Sequence, residues 1–301
     1  MELLSNPDFL AKYGTTRLND IQVIGTHDSA CYQLICGNTN NKLVKILNPL
    51  RYIFPCVNSI LKQWTLTQDK CILEQLRMGI RTLDLRVVYD PKKQQYYFTH
   101  TFYCVSALTV LKHIGDYLDS DRTAFVIVTI RHDSEHQTYT DERNTEFKQL
   151  VVSMLGSRAI PKPEDVTMYP TLDSVLENNQ QLIIGFMDDQ DDPGNRMIWG
   201  NRYFNGRWVQ DTDDDAFYGN AMEFIRYQHN PLAINHIPLV KTPTVDIVKQ
   251  DIKGRFLKCG YKPQSVRSWS AFGPNVYKRL KASSVESGFD IKTNIFWLDY
   301  V

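Results

Sequence analysis

Short apolar runs alternate with segments of helical periodicity along most of the chain. Several runs, such as AFVIVTIR at 124–131, are apolar at successive positions, which is typical of strands covered on both faces. The pattern predicts eight strands, at residues 21–24, 80–88, 96–100, 124–131, 181–187, 197–201, 232–237 and 294–301.

Between the strands, apolar residues recur every three or four positions, as on one face of a helix. Such stripes occupy 108–118, 147–154 and 245–256, and the segment 67–79 combines a capping residue with a closing glycine. Because strands and helices alternate, the sheet is expected to be mostly parallel. Eight strands suit a closed barrel better than an open sheet, so the pattern predicts an α/β barrel.

Composition and charge narrow the functional classes. The 301 residues include 34 Lys plus Arg and 34 Asp plus Glu, so the net charge is zero and no nucleic-acid partner is expected. The first residues lack the basic start and apolar core of a signal peptide. Six cysteines show no CxxC spacing, which favours reduced thiols in a cytoplasmic protein. Cys31 and Cys36 are close enough to pair, but free thiols are the favoured interpretation.

The most apolar stretch, residues 42–64, contains cations and two prolines, so it is too interrupted to span a bilayer. It mixes aliphatic and aromatic side chains, including Trp64, with lysines and arginine, and it predicts an amphipathic insertion at about 36–64. Two interpretations stay open. The insertion docks on an anionic membrane surface, or it packs as a helical hairpin on the barrel.

Polar side chains gather where the predicted strands end, and in parallel α/β barrels the active site lies at those ends. Asp84 and Arg86 are two positions apart on one strand, so they point to the same side. The first and last strands of a barrel are neighbours, which brings Asp299 within reach of His27. The candidate site residues are His27, Asp28, Asp84, Arg86, His100, Arg131 and Asp299.

Two histidines, an arginine and carboxylates suit phosphoryl transfer without a metal ion. One histidine removes a proton from an attacking hydroxyl, and the other protonates the leaving oxygen. A guanidinium offers planar positive charge to the phosphoryl oxygens, and a carboxylate behind the base fixes its tautomer. Because imidazoles titrate near neutral pH, the two histidines can exchange roles between two steps.

Structural roles stay open for several of these residues. A histidine at a strand end is more often a hydrogen-bonded structural residue. Arg86 and Asp84 can form a simple ion pair that stabilises the barrel, and Asp28 can cap a helix.

Metal sites are the less favoured interpretation of two other patterns. His132 and His136 have the spacing of a zinc pair but lack the HExxH glutamate. The acidic stretches DDQDD at 188–192 and DTDDD at 211–215 are expected to be solvated loops rather than a calcium site.

Three segments carry a family likeness, namely IGTHDSACYQL at 24–34, WTLTQDKCILEQLRMGIRTLDLRV at 64–87 and YYFTH at 96–100. They resemble the X domain of phosphatidylinositol-specific phospholipases C, above all the small X-domain-containing proteins and more remotely the bacterial enzymes. The likeness extends from about residue 15 to the end. It implies a distorted TIM-type (β/α)8 barrel, a single catalytic domain over 1–301, that cleaves phosphoinositides to diacylglycerol and an inositol phosphate.

The resemblance also implies roles for the candidate residues. His27 resembles the general base that activates the inositol 2-hydroxyl, and Asp299 resembles its carboxylate partner. His100 resembles the general acid for the glycerol oxygen, with Asp28 assisting it. The expected first product is a cyclic inositol phosphate, which water opens in a second step.

Arg86 stands where the calcium-dependent animal signalling enzymes place metal-binding acids, so no calcium or other cofactor is expected. Asp84 resembles the acid that positions Arg86, and Arg131 resembles a basic residue that faces the headgroup. The turn at the barrel mouth is assigned to Gly25. The expected partners are phosphoinositide lipids and the membrane surface, which a monomer reaches transiently.

Two other functions stay open. A catalytically silent lipid- or protein-binding barrel is one, since a fold does not establish activity. The joint presence of both histidines, Arg86 and the flanking acids argues against it. A metal-dependent phosphodiesterase on a similar barrel is the other, and the charge of Arg86 argues against that.

Overall fold

A curled parallel sheet forms the frame of the molecule. The computed structural model describes residues 9–35, 55–132, 139–209, 211, 213–241, 245–257, 262–287 and 291–300. Eight described strands run parallel: β1 (Val23–Thr26), β2 (Thr82–Asp90), β5 (Val126–His132), β6 (Leu182–Phe186), β7 (Ile198–Trp199), β8 (Phe204–Gly206), β9 (Ile234–Pro238) and β10 (Ile295–Leu298). Two more form an antiparallel hairpin: β3 (Gln95–His100) and β4 (Phe102–Ser106).

The first and last parallel strands of the chain are neighbours in the sheet. The order is β7-β6-β5-β2-β1-β10-β9-β8, and Thr26 of β1 lies opposite Leu298 of β10. Among the described residues no ladder joins β7 to β8, so the curled sheet stays open there. The predicted α/β barrel is confirmed, in the form of a curled half-barrel.

The third predicted strand does not belong to the barrel wall. Residues 96–100 lie in β3, which pairs antiparallel with β2. Only residues 91–94 separate these two strands, and a parallel neighbour needs a crossover of a dozen residues or more. The eighth parallel strand is instead β8, whose sequence Phe-Asn-Gly has no apolar run that predicts a strand.

The helices cover the outside of this sheet. Those described are α1 (Phe9–Tyr13), α2 (Pro55–Thr65), α3 (Ile72–Arg77), α4 (Ala107–Ser120), α5 (Asp141–Leu155), α6 (Leu172–Leu176), α7 (Asp214–Glu223), α8 (Val245–Leu257) and α9 (Phe272–Ser287). The three predicted stripes lie on α4, α5 and α8. The helix predicted from residue 67 begins later, at Ile72, where Glu74 accepts a hydrogen bond from the Cys71 backbone N–H.

Alternate residues of the strands enter two different packing clusters, because successive side chains point to opposite faces. Ile127 and Ile183 pack with Trp199 and Trp297, whereas their neighbour Val128 packs in the cluster that includes α4 and α5. Both faces of these strands are therefore buried, which explains their continuous apolar sequence.

The described part of the predicted insertion packs on the protein. Residues 36–54 lie outside the described residues. In α2, the apolar side chains of Ile60, Leu61 and Trp64 are buried, and the Trp64 indole N–H donates to Asp251 of α8 at 3.0 Å. A membrane-docking role for Trp64 is therefore wrong. Among the described helices, none has the length and apolar character to cross a membrane.

Candidate active site

The loop that follows β1 turns at Asp28. Its φ of 41° is in the left-handed region, which is uncommon for residues with a side chain and is tolerated best by Asn and Asp. The prediction that Gly25 makes this turn is wrong, because Gly25 lies within β1. Its lack of a side chain serves packing, since a Cβ there would lie 2.6 Å from Trp297 and 2.8 Å from the Thr82 carbonyl oxygen.

Several buried hydrogen bonds hold the loop in this conformation. The Ser29 hydroxyl donates to the Thr26 carbonyl at 2.7 Å and accepts from the Asp84 backbone N–H at 2.8 Å. The Gln68 amide donates to the carbonyls of His27 and Leu298, both at 3.0 Å, and so joins the ends of β1 and β10. The loop that carries His27 is thereby fixed relative to both neighbouring strands.

At His27, which follows β1, a residue that follows β10 comes into contact. The Nδ1 atom of His27 lies 3.0 Å from Asp299 Oδ1, which confirms the predicted proximity. Because a carboxylate accepts, Nδ1 carries the proton of this hydrogen bond. The Nε2 atom lies 3.0 Å from Asp28 Oδ2 and 3.2 Å from Arg86 Nη2. Nε2 is therefore the imidazole atom that faces the other candidate residues.

Asp28 lies at the centre of the cluster. One carboxylate oxygen is 2.9 Å from Arg86 Nε, and the other contacts His27 and lies 3.6 Å from His100 Nε2. The two imidazole rings are 6.0 Å apart between centroids. The Nδ1 of His100 donates to the Thr65 carbonyl at 2.8 Å, which directs Nε2 toward Asp28. The structure thus brings five of the predicted site residues together, namely His27, Asp28, Arg86, His100 and Asp299.

The charges of the cluster act against the effect of burial. Burial lowers the pKa of His27, but the carboxylates of Asp28 and Asp299 outweigh it, and the pKa is raised above 6.5. Burial raises the pKa of Asp28, but Arg86 and both histidines outweigh it, and the pKa is lowered. Burial raises the pKa of Asp299, and the nearby charge of His27 offsets only part of that.

Asp84 lies next to Asp28 and is 1% exposed. Its Oδ2 accepts the backbone N–H of Asp28 at 3.3 Å. Burial and the negative charge of Asp28 both raise the pKa of Asp84. The carboxylate in ion-pair contact with Arg86 is that of Asp28. Asp84 therefore supports the turn at Asp28, and the charges of His27 and Arg86 offset part of the rise in its pKa. Its roles toward Arg86 and the substrate stay predictions.

One group of possible metal ligands overlaps the site. Ligand atoms of His27, Asp28 and Asp84 lie within 4.8 Å of one another. The Arg86 guanidinium, however, contacts two of these residues, at His27 Nε2 and Asp28 Oδ1. A divalent ion bound there would lie against a fixed positive charge, so the donor set fits an arginine better than a metal.

Arg131 lies opposite Arg86 in the register of β2 and β5, and its charge, after those of Arg86 and the two histidines, also lowers the pKa of Asp28. Its guanidinium is 3.5 Å from His236 Nε2 and 4.0 Å from Asp188, and it faces the barrel mouth from the end of β5. Burial and the charge of Arg131 lower the pKa of His236 to about 3, so this histidine is neutral and can accept from Arg131. His236 packs on Gly206, where a Cβ would come within 2.0 Å of the ring.

His236 and Trp208 are site residues that the sequence analysis missed. His236 belongs to a predicted strand, 232–237, and the strand-end rule applied there would have found it. The Trp208 ring lies 5.1 Å from that of His27 and 5.8 Å from the Arg86 guanidinium. It follows β8, which has no sequence signal, so nothing in the pattern pointed to Trp208.

The other predicted metal patterns have structural partners. His132 contacts Asn144 at 3.1 Å and Asp189 at 3.5 Å, and His136 lies outside the described residues. In the acidic stretch 188–192, Asp189 binds Lys148. In 211–215, an aspartate caps α7 and the two that follow pair with cations. Protein cations therefore balance much of this acidic charge.

The arrangement has the parts that acid–base catalysis on a phosphodiester needs. A histidine oriented by a carboxylate, a second histidine with its ring centre 6.0 Å away, and a guanidinium in contact with the first histidine lie close together around Asp28.

Comparison with known proteins shows which proteins this chain resembles. PI-PLC X domain-containing protein 1 of Danio rerio is 27% identical over 187 residues, 60% of this chain and 57% of the relative. PI-PLC X domain-containing protein 2 of Homo sapiens is 27% identical over 276 residues, 88% of this chain and 85% of the relative. The chain is related to the PI-PLC X domain-containing proteins. No family model matches it, and protein 1 relatives are matched over only somewhat more than half of their own length.

Solved structures with the same fold come from bacterial enzymes. The phosphatidylinositol-specific phospholipase C of Listeria monocytogenes superposes with a TM-score of 0.60 at 14% identity, covering 95% of this chain and 90% of that one. A structure of the Staphylococcus aureus enzyme gives a TM-score of 0.60 at 16% identity, covering 97% and 90%. The predicted resemblance to both groups is confirmed, at the level of sequence for the first and of fold for the second.

Proposed function

We propose that this chain is a phosphatidylinositol-specific phospholipase C-type phosphodiesterase that needs no metal ion. The observation that carries the proposal is the convergence of His27, Arg86 and His100 on Asp28, within 3.6 Å of its carboxylate. The relatives supply the substrate class, an inositol phospholipid.

In the first step, the inositol 2-hydroxyl attacks the phosphorus atom and its proton passes to His27 Nε2. The Nδ1–H bond to Asp299 keeps the lone pair on Nε2 and stabilises the imidazolium that forms. Arg86 turns its Nη2 from His27 to a phosphoryl oxygen, where negative charge grows.

The bond from phosphorus to the glycerol oxygen breaks as His100 Nε2 gives that oxygen a proton, which releases diacylglycerol and a cyclic inositol phosphate. The Thr65 carbonyl holds the opposite nitrogen, so the proton on Nε2 points into the site. In the second step water attacks the phosphorus atom and gives a proton to His100. The bond from phosphorus to the 2-oxygen breaks, and His27 returns its proton to that oxygen.

Arg131 and its neutral partner His236 are suited to bind hydroxyl or phosphate groups of the headgroup. The substrate lies in a bilayer, and the solved Staphylococcus aureus enzyme binds membranes. We therefore propose transient membrane association for this chain as well, with residues of the strand-end loops reaching the lipid surface.

Turnover of phosphatidylinositol in vesicles, with excess chelator, tests the proposal. The wild-type chain is expected to release water-soluble inositol phosphate, and His27→Ala is expected to lose about 10³-fold or more, as for an essential acid–base group. His113→Ala is the matched control, because His113 lies in the middle of α4, and it is expected to keep the wild-type rate.

Other outcomes identify the alternatives. Abolition of turnover by chelator would point to a metal-dependent phosphodiesterase. Binding of vesicles without turnover by the wild type would point to a silent lipid-binding barrel. Equal rates for His27→Ala and the wild type would exclude His27 as the base.

A further inference from the structure

Two buried thiols lie in contact beside the candidate site. Cys31 follows the turn at Asp28, and Cys104 lies on β4, in the hairpin that carries His100. Their Sγ atoms are 2.7 Å apart, although 73 positions separate the two residues. Even carbon atoms, which are smaller, pack at about 3.5–4.0 Å. The two sulfurs are therefore placed nearer to a bond than to ordinary packing.

The backbone already holds the two segments side by side. The Ile35 N–H donates to the Tyr103 carbonyl at 2.7 Å, and the Cys31 N–H donates to the Asp28 carbonyl at 2.8 Å. A disulfide needs its two backbone segments close together, and the bond from Ile35 to Tyr103 joins the segment of Cys31 to that of Cys104. Cys31 and Cys104 are 1% and 0% exposed, so a bond between them would be sheltered from reductants.

The same thiols contact the support of the second histidine. Cys31 Sγ donates to the Thr65 carbonyl at 3.4 Å, and His100 Nδ1 donates to this carbonyl at 2.8 Å. If Cys31 lost its thiol hydrogen, the Thr65 carbonyl would keep the hydrogen bond from His100 and lose the one from Cys31. The oxidation state of Cys31 is thus coupled to the orientation of His100 through a single acceptor.

We propose that Cys31 and Cys104 form a disulfide that ties the loop carrying His27 to the hairpin carrying His100. Two S–H bonds break and one S–S bond forms. A peroxide takes up the two electrons and two protons and becomes water, or oxidised glutathione takes them up and becomes two molecules of the thiol. The inference concerns the bond itself and does not depend on the proposed function.

The environment of the pair determines when the bond forms. The thiolate is the attacking species, and burial together with Cys104 raises the pKa of the Cys31 thiol. Attack in the closed protein is therefore slow. The bond forms most readily while the chain folds, when the thiols are exposed to the oxidant.

Peptide mapping of the full chain tests the bond directly. The chain is refolded from urea with oxidised and reduced glutathione, free thiols are alkylated, and the product is digested with trypsin and chymotrypsin. Trypsin alone leaves Cys31 and Cys36 on one peptide, whereas chymotrypsin cuts after Tyr32 and separates them. We expect a linked pair containing Cys31 and Cys104 that disappears on reduction, and alkylated Cys71 as the internal control.

Alkylation of both Cys31 and Cys104 after oxidative refolding would overturn the proposal, and so would a link from Cys31 to Cys36. Urea unfolding gives a second measurement. The oxidised wild type is expected to unfold at a higher urea concentration than the reduced form, because the link restricts the unfolded chain. The difference should vanish in Cys104→Ala and persist in Cys71→Ala. Equal midpoints for oxidised and reduced wild type would also overturn the proposal.

Discussion

At the scale of single residues, the geometry around His27 determines how the proposed reaction depends on pH. The base must be neutral to accept a proton, and its pKa is raised above 6.5 because two carboxylates outweigh burial. The imidazolium therefore persists to higher pH than in an isolated histidine. The acid limb of the rate profile is expected above pH 6.5.

Replacing Asp299 with Asn tests this link. The variant loses one of the charges that raise the pKa of His27, so the acid limb of kcat/KM should move to lower pH. The rate should also fall by about 10²-fold or more, because the amide orients the imidazole less reliably. Rates measured from about pH 5 to 9 give both quantities. Asp116→Asn, at an exposed residue of α4, is the control, and an unmoved limb in Asp299→Asn would contradict the assignment of His27.

Arg86 gives a second prediction at this scale. Two nitrogens of its planar guanidinium, Nε and Nη2, contact Asp28 and His27 at the same time, whereas an ammonium group has a single nitrogen and no fixed plane. Arg86→Lys keeps the charge, yet turnover in chelator should fall by about 10²-fold or more. Arg122→Lys, at an exposed arginine that binds Asn179, should keep the wild-type rate. A fully active Arg86→Lys would show that charge alone suffices.

Site residues could be predicted from the sequence where a reactive side chain lies at the end of a predicted strand. Asp28, between a predicted strand and a polar turn, is one of these. The sequence could not predict which carboxylate contacts Arg86, because Asp28 and Asp84 are equally plausible partners along the chain and only the turn at Asp28 decides between them. Trp208 could not be predicted, because its side chain carries no acid–base group and the strand before it is only three residues long.

At the scale of elements, β1 packs closely against its neighbours because Gly25 has no side chain. Gly25→Ala places a Cβ 2.6 Å from Trp297 and 2.8 Å from a backbone carbonyl of β2. The free energy of unfolding in urea should fall by about 1–3 kcal/mol, the usual effect of overpacking. Gly219→Ala in α7 meets no atom within 4 Å, and alanine favours helices, so stability should stay equal or rise by up to about 1 kcal/mol. Equal destabilisation of both variants would show that Gly25 has no special packing role.

Elements were predicted well where the apolar pattern extends over many residues. They were predicted poorly where the length of a connecting loop determines how a strand pairs. The apolar runs of β5 and β6 were sufficient, because both faces of these strands are buried. The hairpin strand β3 has the same composition as a barrel strand, and only its four-residue separation from β2 distinguishes it. The pattern of α2 fits a docking surface and a packed helix equally well, and the neighbouring α8 decides for packing.

At the scale of the whole molecule, one buried histidine is expected to affect acid stability. The unfolded chain binds a proton on His236 below about pH 6.5, whereas the folded chain accepts it only at about 3. The unfolded state therefore binds more protons in this window, and the free energy of unfolding falls as pH decreases through it. The slope from this residue approaches about 1.4 kcal/mol per pH unit.

His236→Gln removes that slope and keeps a group that can accept from Arg131. Urea unfolding at about pH 6.5 and 4.5 should show a smaller loss of stability in the variant, by about 1–2 kcal/mol. His113→Gln, a matched substitution in α4, is the control. Parallel pH profiles for His236→Gln and the wild type would show that His236 is protonated in the folded chain.

The contact between His27 and Asp299 joins residues 272 positions apart. During synthesis, His27 leaves the ribosome long before its carboxylate partner exists, and β1 lacks one of its two neighbouring strands until then. Under the proposed function, a nascent chain without β10 lacks the carboxylate that orients its base. The proposed catalysis therefore begins only after β10 has been made and has paired with β1.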